Sequence, residues 1–263
     1  MRWQLEQPSE VLKLGGVDLE LVREGAGKQL LLLHSEEGIE THSEAISLLS
    51  KSFDVICASH PGFGGSLLPQ HVSTIDDLAY FYRDLIDKLD LRDAVLVGAG
   101  LGGWIAAEMV TKSVERFSHL VLAGAVGVKF TDRETRDFAD IFSLPSAEVA
   151  RRSYFDPEAL KGQTEGANDD YLTRVVRNRE ATCLLGWSPY MHSPKLRNRL
   201  HRITIPALLL WGASDEIASP AYGKTYAAAL EDARFELIPE AAHYVLHEQP
   251  KRACEKIVEF ATG

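Results

Sequence analysis

Two side chains that could move protons together follow two predicted strands near the end of the chain. The segment WGASD (211–215) ends in Asp215, and the segment IPEAAH (238–243) ends in His243. An aspartate that hydrogen-bonds a histidine orients the imidazole and stabilises its protonated form, so the pair can serve general acid–base chemistry. Because open α/β sheets build their sites at the carboxyl ends of strands, we expect Asp215 and His243 to meet there.

A glycine-rich turn, VGAGLGGW (97–104), follows another apolar strand and has two interpretations. Gly98, Gly100 and Gly103 match the G-x-G-x-x-G pattern, which lets a pyrophosphate approach a helix N-terminus. An acidic residue that binds the ribose hydroxyls usually follows that pattern about 20 residues later. Residues 119–126 hold no carboxylate, and several strands precede the turn, so dinucleotide binding is the weaker interpretation.

The second interpretation is a nucleophile elbow, G-x-S-x-G, a sharp strand-to-helix turn that lifts the central side chain above the sheet. Gly98 and Gly102 are then the outer glycines, and the central position is Gly100. In hydrolases of this type the acid and the histidine follow the elbow in the order found here for Asp215 and His243. Glycine has no side chain, so the nucleophile is missing and no acyl-enzyme can form at residue 100.

The elements that must position these residues alternate between strand and helix. Strands are predicted at 17–22, 29–34, 53–57, 94–97, 119–123, 206–211 and 234–238. Helices are predicted after 74, from 104, at 221–230 and at 251–260. Several strands are continuously apolar, as expected when both faces of a sheet are covered. The alternation predicts an α/β protein with a mostly parallel, doubly wound sheet and helices on both faces.

The stretch 131–201 breaks that alternation, because it is charged, helical in pattern and interrupted by prolines. We expect a helical cap at 131–201, inserted into a core made of 1–130 and 202–263 and lying over the end of the sheet. Trp187, Tyr190 and Met191 are candidates for lining a pocket for an apolar or aromatic substrate. The hydrophobic core of the cap would use the same side chains equally well.

Composition narrows the class of partner. The 263 residues include 28 Lys plus Arg and 38 Asp plus Glu, a net charge of −10, which disfavours nucleic acid and anionic membranes as partners. The first residues have no apolar leader region, and the apolar stretches are far shorter than the roughly 20 residues that span a bilayer. Three widely spaced cysteines argue against a disulfide framework. We therefore expect a cytoplasmic protein that binds a small molecule; a homodimer remains open.

Five segments in a fixed order closely resemble the α/β-hydrolase superfamily over nearly the whole chain, above all capped bacterial esterases and carbon–carbon bond hydrolases. They are LHSEEG (33–38), SHPGFG (59–64), the elbow with LGGW (101–104), LWGASD (210–215) and AHYVLHEQP (242–250). The resemblance implies an α/β-hydrolase fold with a helical cap. It also implies a small ester substrate, or a ketone cleaved at a carbon–carbon bond, and no cofactor or metal.

By the same resemblance, Asp215 orients and charge-compensates His243, the general base, while the main-chain N–H groups of Leu101 and Glu36 form an oxyanion hole. Two residues depart from the family pattern. Ser35 replaces the usual glycine; it is the nearest alternative nucleophile and a candidate substrate contact, or simply a small residue in a tight loop. Gly100 replaces the nucleophilic Ser, Asp or Cys.

Four accounts of Gly100 follow. The chain could work through the His243–Asp215 dyad, with water or a substrate hydroxyl deprotonated by His243. It could be an inactivated form of a serine hydrolase, with Gly in place of Ser. It could be a binding module or pseudoenzyme that keeps the pocket without the chemistry. Finally, the glycine-rich turn could bind a dinucleotide, which is the account that fits the rest of the chain least well.

Overall fold

A computed structural model describes residues 10–158 and 168–263 of the chain. Its main feature is an eight-stranded sheet in the order β1-β2-β4-β3-β5-β6-β9-β10. The first two strand pairings are antiparallel, and the pairings from β4 to β10 are parallel. The strands are β1 Glu10–Leu14, β2 Val17–Gly25, β3 Lys28–Leu33, β4 Phe53–Ala58, β5 Ala94–Ala99, β6 Phe117–Ala123, β9 Ala207–Gly212 and β10 Ala233–Ile238; β7 Gly127–Val128 and β8 His192–Ser193 form a separate parallel pair.

Helices cover both faces of this sheet, which confirms the predicted fold class. They are α1 Ser43–Leu49, α2 Ile75–Lys88, α3 Leu101–Lys112, α4 Ser146–Ser153, α5 Asp169–Gly186, α6 Pro220–Ala228, α7 Val245–Glu248 and α8 Pro250–Thr262, with 3-10 turns at Ile39–His42 and Leu196–Arg202. Helix α2 begins where the sequence indicates, because Thr74 accepts a hydrogen bond from the Asp77 N–H and the Asp77 carboxylate accepts one from the Thr74 N–H.

The apolar run of β3 shows why the central strands carry no alternating pattern. Leu31 and Leu33 pack into the core on the α2–α3 face, whereas Leu30 and Leu32 pack into the core on the α1–α8 face. All four side chains are inaccessible to solvent. Burial of both faces stabilises the centre of the sheet and holds the loops at the strand ends in fixed positions.

The stretch 131–201 adds no strand to the large sheet within its described residues, and its helices α4 and α5 lie against loops at the carboxyl ends of the parallel strands. Asn178 of α5 donates to the Glu37 carbonyl at 2.9 Å and accepts from the Gly64 N–H at 2.8 Å. Arg174 of α5 forms ion pairs with Glu20 and Glu40. These contacts hold α5 against the loops that follow β3 and β4.

In the described ranges, 10–158 and 168–263, no helix is both long enough and apolar enough to cross a bilayer.

Candidate active site

The glycine-rich turn forms a tight connection between β5 and α3. Gly100 has φ 50° and ψ −117°, a left-handed conformation that glycine adopts with little strain. Gly102 packs so closely on the Leu33 and His34 carbonyls that a Cβ at residue 102 would overlap them. The geometry therefore matches the sharp elbow. The glycines that define the dinucleotide pattern face neighbouring protein atoms, since a Cβ on Gly98 would lie 2.5 Å from the Gly102 oxygen.

Asp215 and His243 meet as the sequence predicts. Asp215 follows β9, and its Oδ1 accepts hydrogen bonds from the N–H groups of Ile217 and Ala218 at 2.8 and 2.9 Å. Its Oδ2 lies 2.9 Å from Nδ1 of His243, which follows β10. The main-chain N–H of His243 donates to the Ser153 carbonyl at the end of α4. Both side chains are buried, so the pair is fixed from several sides.

The Glu36 side chain occupies the place that the sequence assigns to the nucleophile. Its Oε2 accepts a hydrogen bond from the Leu101 N–H at 3.2 Å and lies 2.5 Å from where a Cβ on Gly100 would stand. Its Oε1 lies 3.4 Å from Nε2 of His243 and accepts from the Tyr244 hydroxyl at 3.1 Å. The sequence assigns the Glu36 N–H to an oxyanion hole and does not predict that the Glu36 carboxylate fills the nucleophile position.

This arrangement decides the charge of the imidazole. Burial alone would lower the pKa of His243, but the Asp215 and Glu36 carboxylates raise that pKa to about 10. Burial alone would raise the pKa of Glu36, but the hydrogen bond and charge of His243, with the N–H groups of Glu36 and Leu101, lower it to about 2. With Glu36 in place, the two carboxylates favour the protonated, imidazolium form of His243, which can act as an acid.

The Glu36 carboxylate thus fills the space beside Gly100 in which water or a substrate hydroxyl could otherwise lie. Ser35 lies beside it, with its Cβ 3.2 Å from the position of a Cβ on Gly100. The Ser35 N–H donates to Nε2 of His42 at 3.0 Å. His34 accepts a hydrogen bond from the His60 N–H at 2.8 Å. These buried imidazoles support the loop that carries Ser35 and Glu36.

A cavity of about 120 Å³ opens above Glu36, between the loop after β3 and helix α5. Apolar, aromatic and polar side chains form its walls: Glu36, Glu37, Ile141, Phe142, Val149, Tyr171, Val175, Asn178, Arg179, Thr182 and Tyr244. His243 is sealed beneath Glu36 and Tyr244, since its side chain is fully buried. A small molecule in this cavity would therefore meet the Glu36 carboxylate before the imidazole.

The three candidate pocket residues of the insertion lie elsewhere. Trp187 is 58% exposed and, with Tyr190, borders a second groove, which contains neither Glu36 nor His243. The Tyr190 hydroxyl donates to the Ala139 carbonyl, and Met191 is buried in the core on the α2–α3 face. The sequence could not separate these roles, because packing and pocket positions use the same residue types.

No group of three His, Cys, Asp or Glu side chains suited to hold a metal ion exists among residues 10–158 and 168–263.

Comparison with known proteins agrees with the observed fold. The family model described as the alpha/beta hydrolase family matches residues 30–256. The chain is 26% identical over 239 residues to an uncharacterized hydrolase, YugF, of Bacillus subtilis (strain 168), covering 82% of this chain and 83% of that protein.

Two solved structures share the fold. A meta-cleavage product hydrolase from Pseudomonas fluorescens superposes with a TM-score of 0.78 at 20% identity, covering 95% of this chain and 96% of that one. An esterase from Exiguobacterium antarcticum superposes with a TM-score of 0.80 at 18% identity, covering 98% of this chain and all of that one (100%).

Proposed function

The chain belongs to the alpha/beta hydrolase family, and from that premise we propose that it cleaves a small, largely apolar ester or ketone-type substrate. The proposed acid–base pair is His243 with Asp215, and the proposed oxyanion hole consists of the N–H groups of Leu101 and Glu36. The reaction does not pass through an acyl-enzyme at residue 100, because Gly100 has no side chain.

The observation that carries this proposal is the buried 2.9 Å contact between His243 Nδ1 and Asp215 Oδ2 beside the elbow. A carboxylate that orients an imidazole allows the imidazole to transfer a proton. A main-chain N–H beside it can stabilise an oxyanion during that transfer. Leu101 already binds a negatively charged oxygen with its N–H, although that oxygen now belongs to Glu36.

For carbonyl chemistry the Glu36 carboxylate must leave the oxyanion hole, so that the substrate oxygen can take its place. Removing that carboxylate also removes one of the two charges that raise the pKa of His243. The imidazole then loses its proton more easily and can act as the base that activates water. Substrate binding and His243 activation would thus be coupled through one side chain.

The substrate class rests on the cavity and on the relatives. Ile141, Phe142 and Val149 give the cavity apolar walls, while Asn178 and Arg179 supply polar contacts. The structural relatives are an esterase and a meta-cleavage product hydrolase by name, and their likeness supports the fold on which such sites are built. Small size follows from the cavity volume of about 120 Å³.

A second candidate is a binding protein without chemistry. The observation that favours it is the filled oxyanion hole: with Glu36 in place, His243 has no exposed surface. In that case the cavity would hold a ligand above Glu36, and neither Asp215 nor His243 would contribute to turnover.

The test is hydrolysis of a panel of short p-nitrophenyl esters by the wild type, His243→Ala and a matched control, His201→Ala. His201 is an exposed histidine in the 3-10 turn Leu196–Arg202, and it does not line the cavity. The proposal expects turnover that His243→Ala abolishes and His201→Ala retains. Turnover that is unaffected by His243→Ala would refute the acid–base role, and ligand binding without turnover of any ester in the panel would favour the binding protein.

A further inference from the structure

The second groove, apart from the acid–base pair, has a volume of about 380 Å³, about three times that of the cavity above Glu36. Cationic, acidic and aromatic side chains form much of its wall: Lys129, Arg133, Arg136, Asp137, Asp140 and Trp187. We propose that this groove binds a planar aromatic carboxylate, with the ring stacked on Trp187 and the carboxylate paired with Arg133. The proposal is independent of the proposed function, because it requires no turnover.

The Trp187 indole gives the groove a flat apolar surface that the protein leaves open. Its side chain is 58% exposed, and the Phe142 ring packs against it with the ring centroids 5.8 Å apart. Phe142 also packs against Tyr190, which lines the groove. The Tyr190 hydroxyl is fixed in turn by the Ala139 carbonyl and the Ile141 N–H. An indole that neighbouring rings support, and that remains more than half exposed, can stack with an aromatic ring at little cost in side-chain freedom.

The charges of the groove leave one cation without a partner. Lys129 lies 3.8 Å from the carboxylate of Asp137, and Arg136 lies 2.6 Å from that of Asp140. Within residues 10–158 and 168–263, the guanidinium of Arg133 has neither an ion pair nor a hydrogen bond. Three cations and two carboxylates leave one positive charge in the groove, counting histidine as neutral. Arg133 is therefore the group that a bound anion can neutralise.

This charge balance selects the class of anion. A monocarboxylate matches the single surplus charge, and its two oxygens fit the paired N–H groups of a guanidinium. A phosphate monoester carries nearly two negative charges at neutral pH, and the second charge would face Asp137 and Asp140 without compensation. The chain as a whole has a net charge of −10, so its long-range field repels anions. Direct contact with Arg133 and Trp187 must therefore hold the ligand.

The groove and the cavity above Glu36 share a wall but differ in their arginines. Phe142, which supports Trp187 in the groove, also lines that cavity. Arg133 lines the groove and not the cavity, whereas Arg179 lines the cavity and not the groove. Both arginines are exposed. A matched pair of Arg→Gln substitutions therefore shows which of the two spaces a ligand occupies.

The experiment is calorimetric titration of the full chain with 2-naphthoate. Arg133→Gln should weaken binding by about 10–100-fold, because it removes charge-assisted hydrogen bonds. Trp187→Leu should weaken it by about 2–10-fold through loss of stacking, and Arg179→Gln should retain it. The uncharged 2-naphthamide and the non-planar cyclohexanecarboxylate should both bind more weakly than 2-naphthoate. Thermal melting of each variant reports whether the fold is kept.

A second measurement locates the ligand directly. In nitrogen-15 NMR spectra, the indole N–H peak of Trp187 is the one that disappears in Trp187→Leu. This peak should shift when 2-naphthoate is added to the wild type, and the shift should be lost in Arg133→Gln at the same ligand concentration.

Four outcomes would overturn the proposal. Weaker binding by Arg179→Gln with normal binding by Arg133→Gln would place the ligand in the cavity above Glu36. Equal affinity for 2-naphthamide would exclude the ion pair, and equal affinity for cyclohexanecarboxylate would exclude stacking on Trp187. Absence of both heat and peak shift at millimolar 2-naphthoate would exclude the ligand class.

Discussion

The Glu36 carboxylate stands where a side chain on Gly100 would begin: Oε2 lies 2.5 Å from the position of a Cβ at residue 100. The two positions are therefore coupled, because the present orientation of Glu36 is compatible only with a residue that lacks a side chain. The same orientation places the carboxylate against His243 and Leu101. Glycine at the elbow and glutamate in the adjacent loop form one structural unit.

The first prediction concerns the titration of His243. Because Asp215 and Glu36 raise its folded-state pKa to about 10, its ring should remain protonated at neutral pH in the wild type. Glu36→Gln should lower that pKa, since one carboxylate charge is removed. Heteronuclear NMR of the imidazole nitrogens measures both values. A wild-type ring that is neutral at pH 7 would contradict the carboxylate–imidazolium pair.

The same shift gives a pH dependence of stability. The pKa of His243 is higher in the folded state than its unfolded value near 6.5. Protonation of His243 therefore stabilises the fold fully below pH 6.5, and this contribution is lost as the pH rises toward 10. The free energy of unfolding, measured by denaturant titration, should therefore fall from pH 6.5 to 10 more steeply in the wild type than in Glu36→Gln. Equal slopes in the two proteins would show that Glu36 does not raise the pKa of His243.

The second prediction concerns restoration of a serine nucleophile. Gly100→Ser alone should show little esterase activity, because the Glu36 carboxylate still competes for the proposed oxyanion hole. Gly100→Ser combined with Glu36→Ala should hydrolyse p-nitrophenyl acetate about 10²–10³-fold faster than Gly100→Ser alone, the effect expected when oxyanion stabilisation is regained. Gly100→Ala with Glu36→Ala is the matched control, since it carries the same backbone strain without the hydroxyl. Equal rates for the two double variants would refute the prediction.

The third prediction concerns Asp215→Asn. The amide oxygen can still accept from the Ile217 and Ala218 N–H groups, which Asp215 Oδ1 now binds, so the fold should be kept. Loss of the charge beside His243 should lower turnover of whichever substrate is accepted by about 10⁴-fold. Asp232→Asn, at an exposed position, provides the control. Steady-state kinetics and thermal melting separate the two effects, and a variant with normal turnover would exclude Asp215 from the chemistry.

The fourth prediction concerns the attachment of the insertion to the core. Arg174 pairs with Glu20 at 2.7 Å and Glu40 at 2.8 Å, and both carboxylates are largely shielded from water. Arg174→Ala should lower the free energy of unfolding by about 1–3 kcal/mol, because it leaves two shielded carboxylates without their shared cation. Arg179→Ala removes an exposed arginine of the same helix that lines the cavity, and it should change the free energy of unfolding by less than about 0.5 kcal/mol. Denaturant unfolding compares the two variants. Equal effects would contradict a stabilising role for the ion pairs of Arg174 with Glu20 and Glu40.

Much of the fold could be read from local pattern. The apolar runs at 29–34 and 94–97 predict buried strands, since a strand covered on both faces needs no polar alternation; β3 and β5 lie there. Thr74 and Asp77 predict the start of α2 because the capping interaction is local. The positions of Asp215 and His243 followed from a topological rule, that parallel strands end at one edge.

The orientation of Glu36 could not be read in this way. Its carboxylate is fixed by Leu101, His243 and Tyr244, which come from two distant parts of the chain. A glutamate has several rotatable bonds, so only the tertiary arrangement of N–H, hydroxyl and imidazole groups selects one orientation. Sequence determined the elbow, its missing side chain and the meeting of Asp215 with His243. Tertiary structure decided which group fills the gap, and hence which charges surround His243.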